Sequence, residues 1–386
     1  MAKLVFNILA GGLGRTSASS DTHAGLLFAG NTALGAAVQT LTATGQVVLN
    51  DSATDAQKAE CTFAISEFFR LNNSGVLYVC GCAGVEASDI TAAMESLSVK
   101  YVGVIGVQGA LGLSSTTEAT AMVKELDMWA KERASTYAEF FRVVLAPSGG
   151  VGFSVSELDF SEVEYERVMF VASYDGANNM CGTMLGQLGA YPVHQKPSWA
   201  AHRIDSGEQW AELTLLDDED LPATATADTL LAEQGLCYAG YYARLAGTYW
   251  KNSRMCVNTT NDFAIITHCR VIDKAMGLLY DTYIQRLDAP LYVDAATGLL
   301  AAEDIAELQA KGYTALTAAM IAGKSGDEVE LGIDSATGAL PQDTIFINPD
   351  QNVLSTETLN VQVSLVPVGS SSNIVINIGL SNPTIA

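Results

Sequence analysis

Residues 358–380 read Thr358-Leu359-Asn360-Val361-Gln362-Val363-Ser364-Leu365-Val366, then Pro367-Val368-Gly369-Ser370-Ser371-Ser372, then Asn373-Ile374-Val375-Ile376-Asn377-Ile378-Gly379-Leu380. Leu359, Val361, Val363 and Leu365 alternate with Asn360, Gln362 and Ser364. Ile374, Ile376, Ile378 and Leu380 share a face opposite Asn373, Val375, Asn377 and Gly379. A period of two is the signature of a strand with one face buried, and two such runs joined by a Gly/Ser turn predict an antiparallel β-hairpin. The second run is flat and neutral. It lacks the Lys or Pro that normally blocks pairing at a sheet edge. A strand of this kind near a chain end is expected to add to the sheet of another copy.

The other end carries a matching signal. Lys3–Leu9 reads as one strand, followed by Gly11-Gly12-Leu13-Gly14-Arg15 and the Ser/Thr-rich stretch 16–22. A short strand tethered through glycines predicts an arm that can leave its own domain.

Between the arms the pattern alternates. Helices are predicted over Asp55–Leu71, with Ala59, Phe63, Ala64 and Phe68 on one face, near Asp89–Leu97, over Thr117–Arg133 and over Asn178–Leu188. Apolar strands are predicted at Val76–Cys80, Tyr101–Val107, Phe140–Leu145 and Arg167–Ala172. Continuous apolar strands alternating with helices indicate layered α/β structure with a largely parallel sheet. Residues 201–235 read as a loop or inserted segment, and Leu236–Val257 as strands or a hairpin around Gly247. The clearest helix runs from Asp262 to Leu287, with Thr260, Asn261 and Asp262 as candidate N-caps and Pro290 beyond its end. Another helix is predicted over Ala302–Ala322 and a strand over Thr344–Ile347.

Composition bounds the function. The chain has 386 residues, 43 acidic and 20 basic, for a formal net charge of −23. Nucleic-acid binders need a clustered basic footprint, and no Lys/Arg run longer than two residues occurs here. Charged residues make up 16%, below the roughly 25% of soluble domains. Neutral polar or apolar surface must take their place, and large apolar patches mark partner contacts. Seven cysteines without regular spacing are no disulfide framework, which points to free thiols and a reducing compartment. No run of 18 or more apolar residues is present, so no membrane-spanning helix is expected.

The chemical motifs each fail a requirement. Gly323-Lys324-Ser325 resembles the end of a phosphate loop, but Ala318 stands where that loop needs glycine. Gly11-Gly12-Leu13-Gly14 lacks the third glycine of a dinucleotide fingerprint, because residue 17 is Ser. Cys80-Gly81-Cys82 has the wrong spacing for a redox pair and reads as core packing. His23, His194, His202 and His268 have no metal-ligand spacing, and His194 and His202 read as surface contacts beside a Pro/Trp loop. Asp217-Asp218-Glu219-Asp220 reads as a solvated loop. No Gly-x-Ser-x-Gly elbow occurs. No catalytic, cofactor-binding or metal-binding residue is therefore expected, and no cofactor.

The order of elements resembles a known family, the contractile tail sheath proteins of phages and phage-derived injection systems. The resemblance rests on Leu4–Arg15, on Leu188–Gln195 (Leu-Gly-Ala-Tyr-Pro-Val-His-Gln), on Asn261-Asp262 leading into Arg270–Ala275, and on Asn352–Thr356 followed by the hairpin and Leu380–Pro383. Residues 196–235 have no counterpart in it. The resemblance implies a structural subunit that polymerises helically around an inner tube protein. It also implies contacts with baseplate and tail terminator proteins, and contraction that drives the tube through a cell envelope. Synthesis in a bacterial cytoplasm and assembly into a virion tail or extracellular particle follow, without nucleic-acid binding or membrane insertion.

The expected architecture is mixed α/β. It comprises an N-terminal arm (1–24), α/β structure (25–200), the inserted segment (201–235) and a C-terminal assembly domain ending in an arm (236–386). The expected assembly residues are Leu4, Phe6 and Ile8, the hinge glycines Gly11, Gly12 and Gly14, then Leu359, Val361, Val363 and Leu365, and finally Ile374, Ile376, Ile378 and Leu380. An oligomeric α/β enzyme, nucleotide-dependent or not, and another lattice-forming virion protein are the alternatives that the residues leave open.

Overall fold

The computed structural model describes residues 20–369, apart from 110, 150, 177, 223, 296, 322–328 and 336. The expected N-terminal strand with its glycines, the second hairpin strand and Gly323-Lys324-Ser325 lie outside the described residues. The chain forms β1 (His23–Ala29), β2 (Gln39–Leu41), α1 (Asp55–Leu71), β3 (Val76–Cys82), α2 (Ala87–Ser98), β4 (Val104–Gly109), α3 (Thr116–Tyr137) and β5 (Arg142–Pro147). Next come β6 (Glu164–Tyr165), β7 (Val168–Val171), β8 (Ser173–Asp175), β9 (Asn178–Asn179), α4 (Cys181–Ala190), β10 (Leu213–Leu215) and α5 (Ala225–Glu233). Then follow β11 (Leu236–Cys237), β12 (Ala239–Tyr242), β13 (Leu245–Trp250), β14 (Cys256–Val257), α6 (Ile266–Tyr283), α7 (Ala302–Met320), β15 (Ile345–Phe346), α8 (Val353–Thr356) and β16 (Gln362–Val363).

Seven strands form one sheet in the order β11-β7-β5-β4-β1-β3-β2, parallel except for the edge strand β2. Alternation along β1 divides two cores. Leu26 and Phe28 face α1 and α4, while Leu27 and Ala29 face α2 and α3. Burial on both faces explains the continuous apolar strands. It also explains why β1 has no period to mark it, so that residues 23–24 are indistinguishable in sequence from the arm.

Local chemistry sets several boundaries. Thr54 and Gln57 form a reciprocal capping box, which starts α1 where the sequence predicts. The buried face of α1 is Cys61, Ala64, Ile65, Phe68 and Phe69. Ala59 is exposed and Phe63 only half-buried, so the expected face was rotated. The true face is set by α4, whose glycines bring the two helices into backbone contact. A Cβ on Gly182 would lie 2.0 Å from the Ala64 carbonyl oxygen.

Other expectations need correction. Residues 225–233 are helical, begun by Thr224, whose hydroxyl accepts from Ala227 N at 3.2 Å. The β12/β13 hairpin turns at Ala243 and Arg244, not at Gly247. Arg244 takes the left-handed conformation (φ 67°), while Gly247 lies within β13. Helix α6 begins at Ile266 rather than Asp262. The Asn258 and Asn261 side chains close tight turns onto Thr260 N (2.9 Å) and Phe263 N (2.8 Å), and Ile265 is held extended by a bridge to Arg254. Of the predicted strand 358–366, only Gln362–Val363 forms a ladder, with β15.

One feature of the sequence was missed. Asp294–Leu300 and Asp334–Leu340 share the pattern Asp-x-Ala-Thr-Gly-x-Leu. Both fold alike: the Asp carboxylate accepts from the Thr N–H, at 2.8 and 2.9 Å, and the glycines have φ of 71° and 65°. Leu300 and Leu340 are both buried.

Candidate assembly surface

The C-terminal helices and strands form two small cores. In one, Val271, Ala275 and Leu279 of α6 pack with Leu316 and Met320 of α7, against the half-buried Val361, Val363 and Leu365. In the other, Leu300, Ile305, Leu308 and Ile347 carry Leu359 and Val361. The expected alternation holds here: residues 359, 361, 363 and 365 are half-buried, while 358, 360, 362 and 364 are exposed. Short ladder length did not alter which way the side chains point.

Among the described residues, one edge of this strand is unpaired. Ser364 N donates to Thr344 O at 2.9 Å, so the even-numbered main chain faces β15. In an antiparallel pair the intervening residues direct their N–H and C=O groups away from the partner. The main chain of Val361, Val363 and Leu365 therefore faces an edge where no strand pairs among the described residues. Beside that strand runs an apolar groove. One depression of about 330 Å³ is lined by Leu279, Tyr280, Tyr283, Leu287, Val361 and Val363. A second, of about 310 Å³, shares Leu279, Tyr280 and Val363 and extends to Phe140, Met276 and Leu365. Large apolar side chains stand exposed nearby in sequence, including Leu287 (55%), Tyr292 (76%) and Val366 (66%).

Helix α6 also joins this region to the seven-stranded sheet. Arg142 and Arg167 converge on Asp273, with Arg167 Nη1 at 3.5 Å from Oδ1. Burial opposes the charge on both guanidinium groups. At Arg142 the Asp273 carboxylate, together with Cys269 and Glu166, outweighs burial and raises the pKa, while at Arg167 burial wins and lowers it. Among the described residues, no group of three or more His, Cys, Asp or Glu side chains is placed to hold a metal ion.

The other singled-out residues sit mostly in packing roles. Cys80 is buried on β3. His202 is buried rather than a surface contact: it stacks on Tyr191 at 3.6 Å, with Trp199 edge-on at 4.7 Å. Burial lowers its pKa, against the Lys196 carbonyl. Asp217–Asp220 forms a turn, with Asp217 Oδ2 accepting from Val155 N at 2.6 Å. No helix among the described residues is long and apolar enough to cross a membrane.

Comparison with known structures places the architecture. The chain is similar to a chain of the anti-feeding prophage baseplate, at 12% identity, TM-score 0.62 and coverage of 94% of each chain. It is similar to the sheath complex of the extracellular contractile injection system PVC in its contracted state, at 9% identity and TM-score 0.57, covering 92% of this chain and 91% of that one. The sheath tail protein of Listeria innocua aligns at 9% identity and TM-score 0.56, over 92% and 94% of the two chains. The fold is that of contractile tail sheath proteins. Residues 1–254 match the N-terminal domain of DUF2586 and residues 262–385 its C-terminal domain, so the chain belongs to the DUF2586 family. No curated protein sequence matches it.

Proposed function

We propose that the chain is the structural subunit of a contractile tail sheath, without catalytic activity. It polymerises helically around an inner tube and contracts to drive that tube through a cell envelope. The observation that carries this reading is the edge of residues 361–365 beside the apolar groove of α6, which pairs with no strand among the described residues. An added strand there gains main-chain hydrogen bonds, and alternate side chains enter the groove. Head-to-tail contacts of this kind that do not close make a helical filament.

The arms are the natural donors. Leu4, Phe6 and Ile8, released by Gly11, Gly12 and Gly14, form one; Ile374, Ile376, Ile378 and Leu380 form the other. Burying each apolar side chain contributes about 1.5–3 kcal/mol. Ordering costs about 1–2 kcal/mol per residue, so ladder bonds and repetition through the lattice must complete the balance. Further partners are the inner tube, baseplate and tail terminator proteins. The subunit is made in a bacterial cytoplasm and ends in a virion tail or extracellular particle.

Electron microscopy of the purified protein tests this. Striated tubes with a wide lumen are expected from the wild type. Ile376→Asp, or deletion of residues 373–386, should leave folded protein that forms none. Tubes from the deletion variant at wild-type concentration would refute strand donation by that arm.

A further inference from the structure

We propose that Lys274 is a common anchor for the roots of both terminal segments, so that tension on one passes to the other through α6. The Lys274 ammonium lies 2.7 Å from Asp21 Oδ2 and 2.7 Å from Glu330 Oε2. All three side chains are largely buried, at 13%, 12% and 7% exposure.

Each carboxylate marks a root. Residues 1–19 continue from the Asp21 side. Asp21 and Thr22 are also gripped through their carbonyls, by Arg270 Nη2 at 3.2 Å and by Asn72 Nδ2 at 2.9 Å. The chain there lies in a notch between two glycines. A Cβ on Gly75 would come within 2.7 Å of the Thr22 oxygen, and one on Gly189 within 2.3 Å of Asn72 Nδ2. On the other side, Glu330 precedes Leu331, which bridges Pro367, and Gly332 N donates to Val366 O at 2.7 Å. Residues 370–386 continue from that bridge. One lysine thus stands between the points where the described chain begins and where it ends. Charges this far from solvent are weakly screened. Removing the lysine alone leaves two carboxylates facing each other.

The anchor is read on the isolated chain; only the source of the tension rests on the sheath reading. Hydrogen–deuterium exchange of the full chain tests it. Lys274→Met should speed exchange about tenfold in both 20–24 and 362–367, with β4 and β5 unchanged. Asn72→Ala, which spares Lys274 and removes the donor to the Thr22 carbonyl, should loosen 20–24 only. If Lys274→Met fails to fold, the neutral triple variant Asp21→Asn/Lys274→Met/Glu330→Gln removes the clamp without stranding a charge, and is read the same way. Loosening of one root only, of neither, or of β4 and β5 equally overturns the proposal. A wild type that forms no tubes overturns the sheath reading and leaves the exchange result standing.

Discussion

The guanidinium of Arg142, at the start of β5, donates two hydrogen bonds to the carboxylate of Asp273 on α6, at 2.5 and 2.9 Å and across 131 positions of sequence. Arg142 also donates to Glu166 O at 2.9 Å. A helix of the C-terminal region is thereby fixed to the bottom of the parallel sheet by charge rather than by apolar packing alone. Breaking one partner of such a pair costs more than the pair contributes.

Asp273→Asn should therefore lower stability by about 3–5 kcal/mol, because two buried guanidinium groups lose their counter-charge. Denaturant unfolding of the monomer measures this. Arg142→Met combined with Asp273→Leu should cost less than Asp273→Asn alone. A double variant at least as unstable as the single would show that shape, not charge, holds the junction.

Glycines on two helices should respond in opposite directions. Gly277 on α6 has open space, the nearest atom to an added Cβ being 4.0 Å away on Phe140. Gly277→Ala should stabilise by about 0.5–1 kcal/mol, the usual helix preference. Gly182→Ala puts a methyl against the Ala64 carbonyl and should cost about 1–3 kcal/mol despite the same preference. Thermal unfolding of both variants decides it, and equal shifts would contradict the close α1–α4 approach.

Burial raises the carboxyl pKa of Glu60, Asp127, Asp175 and Glu330 above their ordinary values. An acid with a raised folded pKa holds its proton better when folded. Its penalty is present at neutral pH and shrinks as pH falls through the folded value. These four groups should make the monomer more stable as pH falls through their folded values toward the ordinary carboxylate range. Lys274 runs the other way. Burial opposes its charge, but Asp21 and Glu330 outweigh this and raise its pKa, so its contribution is full below about 10.5 and lost as pH rises through the folded value. Glu60→Gln should flatten the acid side of the stability profile. An unchanged slope in that variant would remove Glu60 from the account.

The groove predicts a separation of folding from assembly. Met276 is 39% exposed on its floor. Met276→Glu should shift monomer stability by no more than about 0.5 kcal/mol, as surface changes do, yet abolish tubes in electron micrographs. Tubes of normal abundance would place strand addition elsewhere.

Thiol accessibility gives a simple check on packing. Six cysteines are buried and only Cys82 is partly exposed. Burial pushes the thiols of Cys61 up to about 12 and of Cys80 and Cys269 to about 11. A thiol reagent should modify Cys82 alone in the native protein and all seven cysteines after unfolding.

The sequence by itself determined what depends on neighbours in the chain. The capping box of Thr54 and Gln57 that starts α1 lies within one turn of chain, so the predicted start at Asp55 needed no distant partner. Leu359, Val361, Val363 and Leu365 announce a one-sided strand because side chains alternate along extended backbone whatever its partner. The repeated Asp-x-Ala-Thr-Gly-x-Leu turns are equally local, because each closes within four residues. The order of short motifs was enough to resemble the sheath proteins whose fold the chain shares. Tertiary structure alone decided the rest. β1 is buried on both faces, so no period distinguishes it from any apolar run. The buried face of α1 depends on where the glycines of α4 let a second helix approach. Arg142 with Asp273, and Lys274 with Asp21 and Glu330, are ordinary charged residues until the chain folds. Their pairing depends on which surfaces meet in space, and no local spacing encodes that.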